Sequence, residues 1–161
     1  MIWTISYRAD PIARDIADRH YNRQSIGHPQ FVPPGRCVVL LAHSRRGAGA
    51  LWVTSWPYTR FVKHAWAGAW VCSAFRNEGA GLSSTLIRDA VAATRAIIGE
   101  PPPLGMVTFV RADQVREKQD PGYCFLRAGF ERCGETGKGY LAFRLAPQEM
   151  PTALAPLGII L

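Results

Sequence analysis

The chain has 161 residues, of which 48% are hydrophobic and 19% charged, a composition typical of a single globular domain rather than a disordered chain. No apolar run approaches the roughly 20 residues that cross a bilayer, and the N-terminus lacks a basic segment followed by an apolar one, so we expect neither a membrane span nor a secretory signal. The net charge of +7 favours a polyanionic partner, either nucleic acid or the phosphates of a cofactor.

The cysteines do not have the spacing of a zinc site or of a disulfide framework. They lie singly in apolar or strand-like contexts, so we expect reduced core thiols in a cytoplasmic protein. The four positions are Cys37, Cys72, Cys124 and Cys133.

The first elements are a strand over Ile2–Tyr7 and a helix that begins with Asp10 as N-cap and Pro11 at the first helical position. The helix is expected to run to about Tyr21. His20 follows two isoleucines at successive four-residue steps, which places it on the apolar stripe at the end of this helix. Such a histidine is either a satisfied core or capping residue or a catalytic group, and both interpretations remain open.

A strand pair and an unusual connection follow. Cys37–Ala42 predicts a central strand, and Ala50–Trp56 predicts its partner after a turn. The next stretch, Trp56–Trp66, interleaves aromatic residues with the basic residues Arg60, Lys63 and His64. It fits equally well a connecting loop and a nucleic-acid-binding face, on which bases stack on aromatic rings.

The centre of the chain predicts a strand, a glycine-containing turn and a helix. Ala65–Phe75 is apolar and rich in Trp and Val, and Leu82–Ile98 has apolar residues at helical spacing before Gly99 and three prolines. Between them, Gly79 and Gly81 let the main chain approach a ligand closely, with amide groups pointing outward in front of the helix dipole. This arrangement suits a pyrophosphate, although a glycine turn without a ligand has the same pattern.

The remaining elements are a strand over Met106–Arg111, a short helix that begins at Asp120, and a hairpin over Phe130–Leu145. The tail, Ala146–Leu161, is apolar and rich in proline. It could cover the sheet or form a contact between the subunits of a homodimer.

Two motifs resemble those of the acetyl-coenzyme A N-acyltransferases of the GNAT type. One is R-x-x-G-x-G over Arg76–Gly81, and the other is F-L-R-A-G-F over Phe125–Phe130, followed by a hairpin. The order of elements also matches over Ile2–Leu145. The resemblance implies one α/β domain over residues 1–161, with a GNAT-like mixed central sheet of about six to seven strands flanked by helices.

The resemblance further implies a cofactor, acetyl-coenzyme A or another acyl-coenzyme A. In the family, the strand before the turn holds the pantetheine arm through its backbone, and the turn holds the phosphates. By position, the arm would lie from Val71 to Ser73. The phosphates would lie on Arg76, Asn77, Glu78, Gly79, Ala80, Gly81 and Leu82.

One position departs from the family. Many members have a tyrosine five residues before the final Phe, where it protonates the leaving thiolate, but this chain has Phe125 there. Tyr123 lies two residues earlier and would face another side of the helix. Ordinary acetylation would therefore need another proton donor.

A further set of residues comprises His20, Tyr21, Arg76, Asp113 and Tyr123. This set resembles that of the phage Mom DNA-modification proteins, which have the acyltransferase fold and act on double-stranded DNA in the bacterial host. The resemblance implies conversion of adenine to N6-(carbamoylmethyl)adenine in the host cytoplasm, an anti-restriction modification. As catalytic candidates it implies His20, Tyr21, Asp113 and Tyr123.

The chemistry leaves the group donor open. Attack on a thioester carbonyl gives an N-acyl group, whereas a carbamoylmethyl group is bonded through its methylene carbon. A metal ion could provide the extra chemistry, because the four catalytic candidates offer oxygen and nitrogen ligands. Two alternatives remain: a conventional acetyl-coenzyme A N-acetyltransferase acting on a small amine or a protein, and a non-catalytic module that binds acyl-coenzyme A or DNA.

Overall fold

The computed structural model describes residues 1–20, 26–47, 49–114 and 120–158. Within these ranges the chain forms seven strands and three α-helices. In chain order they are β1 Thr4–Ile5, α1 Pro11–Asp18, β2 Arg36–His43, β3 Gly49–Trp56, β4 Trp70–Asn77, α2 Ser83–Ile98, β5 Met106–Val110, α3 Tyr123–Arg127, β6 Glu131–Glu135 and β7 Leu141–Leu145.

The strands make one mixed sheet. Its order is β1-β2-β3-β4-β5-β7-β6, and every neighbouring pair is antiparallel except β4 and β5, which are parallel. The α/β class and the mixed sheet of six to seven strands with flanking helices are therefore confirmed. Of the helices that the structure describes, none is long and apolar enough to cross a membrane.

Helices cover the two faces of the sheet. On one face, α1 buries Ala13, Ile16 and Ala17 against the side chains of β2 and β3. On the other face, α2 and α3 pack on a larger core that includes Trp3, Trp52, Trp70, Met106, Phe125, Phe130 and Phe143. The tail lies along α2, because Leu154 N–H donates to the carbonyl of Ala92 at 3.1 Å.

A buried polar chain joins α2 to β3. Trp52 Nε1 donates to Thr54 Oγ1 at 2.7 Å, and the Thr54 hydroxyl lies 3.1 Å from that of Thr94. Thr94 in turn donates to the carbonyl of Ala90 at 2.8 Å. Since the Thr94 proton is used for Ala90, the Thr54 hydroxyl must donate to Thr94, and every hydroxyl proton in the chain of bonds has an acceptor.

The N-terminal elements are shorter than predicted. The first strand covers only two residues, and α1 ends at Asp18 rather than near Tyr21, which lies outside the described residues. The N–H of Arg19 bonds to the carbonyl of Ile16, so the chain tightens into a turn that also contains His20. The predicted apolar stripe is wrong at its first residue, because Ile12 is 58% exposed, whereas Ile16 is buried.

Strand β4 begins five residues later than predicted. The stretch from Ala65 to Ala69 forms turns instead, with Gly68 at φ 98° and a hydrogen bond of 3.1 Å from Ala69 N–H to the carbonyl of Trp66. A glycine in this left-handed conformation stops an extended run whatever the hydrophobicity around it. Helix α2, in contrast, lies within one residue of its predicted start and ends as predicted before Gly99.

The cysteines are free, and none forms a disulfide. Cys72 is buried, while Cys37 and Cys124 are partly buried. Cys133 is exposed, so the prediction of a core thiol is wrong there. It lies on the edge strand β6, as the extra residue of a β-bulge between the pairs Arg132–Phe143 and Gly134–Ala142, and no residue of this strand is fully buried.

Candidate active site

The parallel strands at the centre of the sheet separate part-way along their length. Among the described residues they pair at three positions, ending at Cys72 and Thr108, while β4 continues to Asn77. At the separation, β4 carries one extra residue relative to β3, because Val53 pairs with Ala74 and Thr54 pairs with Cys72. This β-bulge bends β4 and increases its twist, which turns the strand away from β5.

A small, open cleft lies at this separation. The apex of the cleft is the point where the two strands stop pairing. It is closed by the Thr108 hydroxyl, which donates to the carbonyl of Cys72 at 3.1 Å. Beyond the apex, the backbone edge of β4 that faces β5 has no strand partner in the described chain, so it can hold an extended ligand. The lining residues are His20, Cys72, Ser73, Ala74, Phe75, Thr108, Phe109, Val110 and Phe125.

Two groups of the cleft are chemically distinctive. Burial raises the pKa of the Cys72 thiol far above its usual range, so this cysteine stays protonated and is no nucleophile. Burial also lowers the pKa of His20 to about 4, with the nearby charge of Arg76 as a second cause and a hydrogen bond to the backbone of Phe75 opposing them. His20 is therefore neutral at physiological pH.

The turn after β4 is held by the side chain of Asn77. Its Oδ1 accepts hydrogen bonds from the N–H groups of Gly79 at 3.1 Å and Ala80 at 2.9 Å. Its Nδ2 donates to the carbonyl of Gly81 at 2.7 Å and to Ser83 Oγ at 2.9 Å. The expectation that successive amides of this turn point outward is thus wrong for Gly79 and Ala80.

The N–H of Glu78 is also used inside the fold, since it donates to the carbonyl of Gly49 at 2.8 Å. The outward-pointing amides instead belong to the start of α2. Its N-cap, Leu82, is 71% exposed and offers no side-chain cap. The first-turn amides of this 16-residue helix therefore face solvent with the positive end of the dipole.

Ion pairs connect this turn to the end of α1. Glu78 receives Arg19 through two hydrogen bonds, of 2.8 and 2.7 Å, and Arg76 through one of 2.8 Å. These pairs lower the pKa of Glu78 to about 2, and the hydrogen bonds from Arg19 are the largest cause. Arg19 also lies 3.9 Å from the carboxylate of Asp15, so the two arginines are matched by two carboxylates. The same contacts hold the turn that carries His20 against β4.

The remaining candidates lie apart from the cleft lining. Asp113 follows β5 in a single 3₁₀ turn; its carboxylate is 59% exposed and lies 3.4 Å from Arg111 Nη2. Tyr123 begins α3 and is 55% exposed, while Phe125 of the same helix lines the cleft. Tyr21 is outside the described residues. Within the described ranges, no group of three His, Cys, Asp or Glu residues could hold a metal ion.

The structure thus brings His20, Ser73 and the Arg76 turn together in the centre of the sheet, where β4 and β5 separate. Val71 pairs with Val107 inside the joined part of the strands. Sequence reasoning missed the β5 wall, which includes Thr108 and Phe109, because a hydrophobic strand pattern carries no signal for where two strands separate. Comparison of the chain with protein-family models, curated proteins and solved structures finds no match.

Proposed function

We propose that this chain is a coenzyme A-dependent transferase with a GNAT-like fold, and that it modifies the exocyclic amine of adenine in DNA. The observation that supports the proposal is the opening between the parallel strands β4 and β5 beside an uncapped helix N-terminus. A coenzyme with a long, peptide-like arm and a diphosphate needs both features side by side, an unpaired strand edge and an anion site.

The residues fit the coenzyme in this way. Its arm would pair with the edge of β4 at Ser73 and Ala74, between the position where Val71 is paired to β5 and Phe75, whose backbone is hydrogen-bonded to His20. Its diphosphate would bind the first-turn amides of α2, with Arg76 supplying positive charge. When bound, the coenzyme would supply a group activated as a thioester.

The walls of the cleft suit a flat, apolar acceptor. The partly exposed ring of Phe109 lines it, and an extruded adenine would gain a stacking contact there that offsets part of the cost of unstacking it from the duplex. His20 is neutral and too weak a base to hold a proton at physiological pH. We therefore assign it a role in orienting the amine by hydrogen bonding, rather than in storing its proton.

The two possible products differ in the group that is transferred and in the chemistry that they require. N6-(carbamoylmethyl)adenine joins the nitrogen to a methylene carbon, whereas attack on a thioester would give an N6-acyl adenine. The first product would need chemistry beyond acyl transfer, to which Tyr21, Asp113 and Tyr123 would contribute with His20. The second product needs only the cleft and the coenzyme.

The test is nucleoside mass spectrometry of DNA from bacteria that express the chain. We expect a modified deoxyadenosine that is absent from cells expressing His20→Ala, and its mass separates the carbamoylmethyl product from the acyl one. His28→Ala is the matched control and should leave the product unchanged. Unmodified DNA from cells with folded protein, together with coenzyme A binding by calorimetry, would refute the DNA-modifying function.

A second candidate is a conventional N-acetyltransferase for a small amine or a protein. The observation in its favour is that Asp113 and Tyr123 are each more than half exposed and neither lines the cleft. This function predicts thiol release from acetyl-coenzyme A with an amine and without DNA. Thiol release that requires DNA would exclude it.

A further inference from the structure

A second surface of the chain combines exposed aromatic rings with positive charge. It lies in the connection between β3 and β4, where a single 3₁₀ turn covers Thr59–Phe61. Tyr58 and Phe61 stand three residues apart across this turn, and side chains at that spacing point to the same side. Tyr58 is 62% exposed and Phe61 is 68% exposed, so both rings offer a free face.

We call this surface, which consists of Tyr58, Arg60 and Phe61, the aromatic turn. Contacts among its own residues hold it together. The N–H of Phe61 donates to the carbonyl of Tyr58 at 2.9 Å. The Arg60 guanidinium lies 4.8 Å from the centre of the Phe61 ring and 5.9 Å from that of Tyr58. The two rings meet edge to face, with centroids 6.4 Å apart. Little side-chain freedom remains to be lost on binding.

Charge around the aromatic turn favours an anionic partner. No Asp or Glu occurs in the sequence between Asp18 and Glu78, although this stretch forms the whole of β2, β3 and β4. Among the described residues, Arg60 makes no ion pair, and the exposed Lys63 follows it closely. The Lys and Arg residues of the stretch are Arg19, Arg23, Arg36, Arg45, Arg46, Arg60, Lys63 and Arg76.

The same connection leads to the cleft. Further along it, the rings of His64 and Trp66 lie 4.9 Å and 5.9 Å from that of Phe109. Phe109 is itself a wall of the cleft. The connection that carries the aromatic turn therefore also contacts a wall of the candidate active site.

We propose that the aromatic turn binds the unstacked strand of DNA beside the target base. Flanking bases would stack on Tyr58 and Phe61, while Arg60 and Lys63 pair with phosphates. The argument for an unstacked strand is steric, since bases inside a duplex have both faces covered and offer none to a ring. This assignment rests on the proposed function for its biological role, but the binding itself can be tested without any turnover.

The experiment measures fluorescence anisotropy of the full chain with a labelled single-stranded oligonucleotide and with its duplex. We expect tighter binding of the single strand, and a loss of about tenfold or more in the Tyr58→Ala/Phe61→Ala variant, since each stacked base contributes about 1–3 kcal/mol. Tyr7→Ala is the matched control, because Tyr7 is also 62% exposed and lies outside the connection. It should bind within about twofold of the parent.

The charge is tested separately. Arg60→Gln should lower the slope of log affinity against log salt by about 0.7, the value for one phosphate contact with a single strand. Arg46→Gln, an exposed cation of the β2–β3 hairpin, should leave the slope unchanged. Because both substitutions are on the surface, thermal unfolding should match that of the parent and exclude a folding defect as the cause.

The outcomes separate this inference from the proposed function. The aromatic turn is not a DNA contact if the parent and the double variant bind equally, if the duplex binds more tightly than the single strand, or if Tyr7→Ala loses as much affinity as the double variant. A turn that serves a protein partner would leave oligonucleotide binding unaffected by the double substitution, and this result would also overturn the inference. If DNA from expressing cells is unmodified but single-strand binding depends on Tyr58 and Phe61, the inference stands and the proposed function fails. If the DNA is modified but binding is independent of these rings, the proposed function stands and the inference fails.

Discussion

Asn77 provides the sharpest test of the turn before α2, because one side chain makes four hydrogen bonds there. The two bonds to Gly79 N–H and Gly81 carbonyl are exposed and compete with water, whereas those to Ala80 N–H and Ser83 Oγ are partly buried. At about 0.5–1.5 kcal/mol for each partly buried bond, Asn77→Ala should lower the free energy of unfolding by about 1–3 kcal/mol. Urea unfolding followed by tryptophan fluorescence measures this loss.

Asn77→Asp should behave differently. The carboxylate loses the donor to the Gly81 carbonyl, but it keeps the acceptor for the two amides and can accept a hydrogen bond from the Ser83 hydroxyl. It also gains about 0.3–1 kcal/mol from the positive end of α2, so this variant should be more stable than the alanine variant. It also places a negative charge where the coenzyme diphosphate would bind. Two charges about 4 Å apart repel by about 1 kcal/mol in water and more near a protein surface, so coenzyme A should bind at least about fivefold more weakly.

The two measurements should therefore rank the variants in opposite orders. Stability should fall from the parent to Asn77→Asp to Asn77→Ala, while coenzyme A affinity by titration calorimetry should fall from the parent to Asn77→Ala to Asn77→Asp. High salt should reduce the difference in coenzyme A affinity between Asn77→Ala and Asn77→Asp. An aspartate variant that binds coenzyme A as tightly as the alanine variant would refute the assignment of this turn to the diphosphate.

Three further predictions concern the fold and its pH dependence. Gly79→Ala should cost about 1–2 kcal/mol by urea unfolding because of its φ of 96°, whereas Gly81→Ala, whose added carbon would have ordinary contacts at 3.8 Å, should change stability by less than about 1 kcal/mol. Thr94→Val should cost about 1–3 kcal/mol in the same assay, because it leaves a buried threonine hydroxyl on β3 without an acceptor. The pKa of His20 in the folded chain, about 4, lies below its ordinary 6.5, so the unfolded chain binds more protons and stability should fall as pH drops from 6.5 to 4. The pKa of Glu78 is lowered from 4.5 to about 2, so its contribution should be complete above pH 4.5 and lost towards pH 2. Urea unfolding at a series of pH values measures both effects. His20→Gln should remove the fall in stability between pH 6.5 and 4, and Glu78→Gln should remove the fall between pH 4.5 and 2.

The elements that could be predicted are those fixed by local chemistry. Helix α2 was predictable almost to the residue, because its apolar spacing, Gly99 and the following prolines act within one segment. Strands β2 and β3 have long apolar runs and were predicted within about one residue of their ends. These signals depend only on residues that are close in the sequence, so they can be recognised without knowledge of the tertiary structure.

Elements that depend on their neighbours in space were predicted less well. The apolar residues from Ala65 to Ala69 fit a strand, yet they form turns that bring Trp66 over Phe109. The end of α1 was placed too late, because its last turn tightens after Ile16 and the apolar stripe alone does not reveal this. The amides of Gly79 and Ala80 were expected to face outward, but the competing acceptor is an asparagine side chain, a residue that favours such local bonds to backbone amides.

The bulge in β4 explains why the candidate site could not be predicted from alternation. In an unbroken strand Cys72 and Ala74 would share a face, and Phe75 would lie opposite. Here Cys72 and Phe75 both join the core beneath α2, while Ala74 packs with the core beneath α1, because Ser73 is the extra residue. The same extra residue separates β4 from β5. The reversal of faces and the opening of the cleft are therefore one structural event. If the proposed coenzyme site is correct, a variant that lacks Ser73 should restore the pairing of β4 with β5 and bind coenzyme A more weakly than the parent by titration calorimetry.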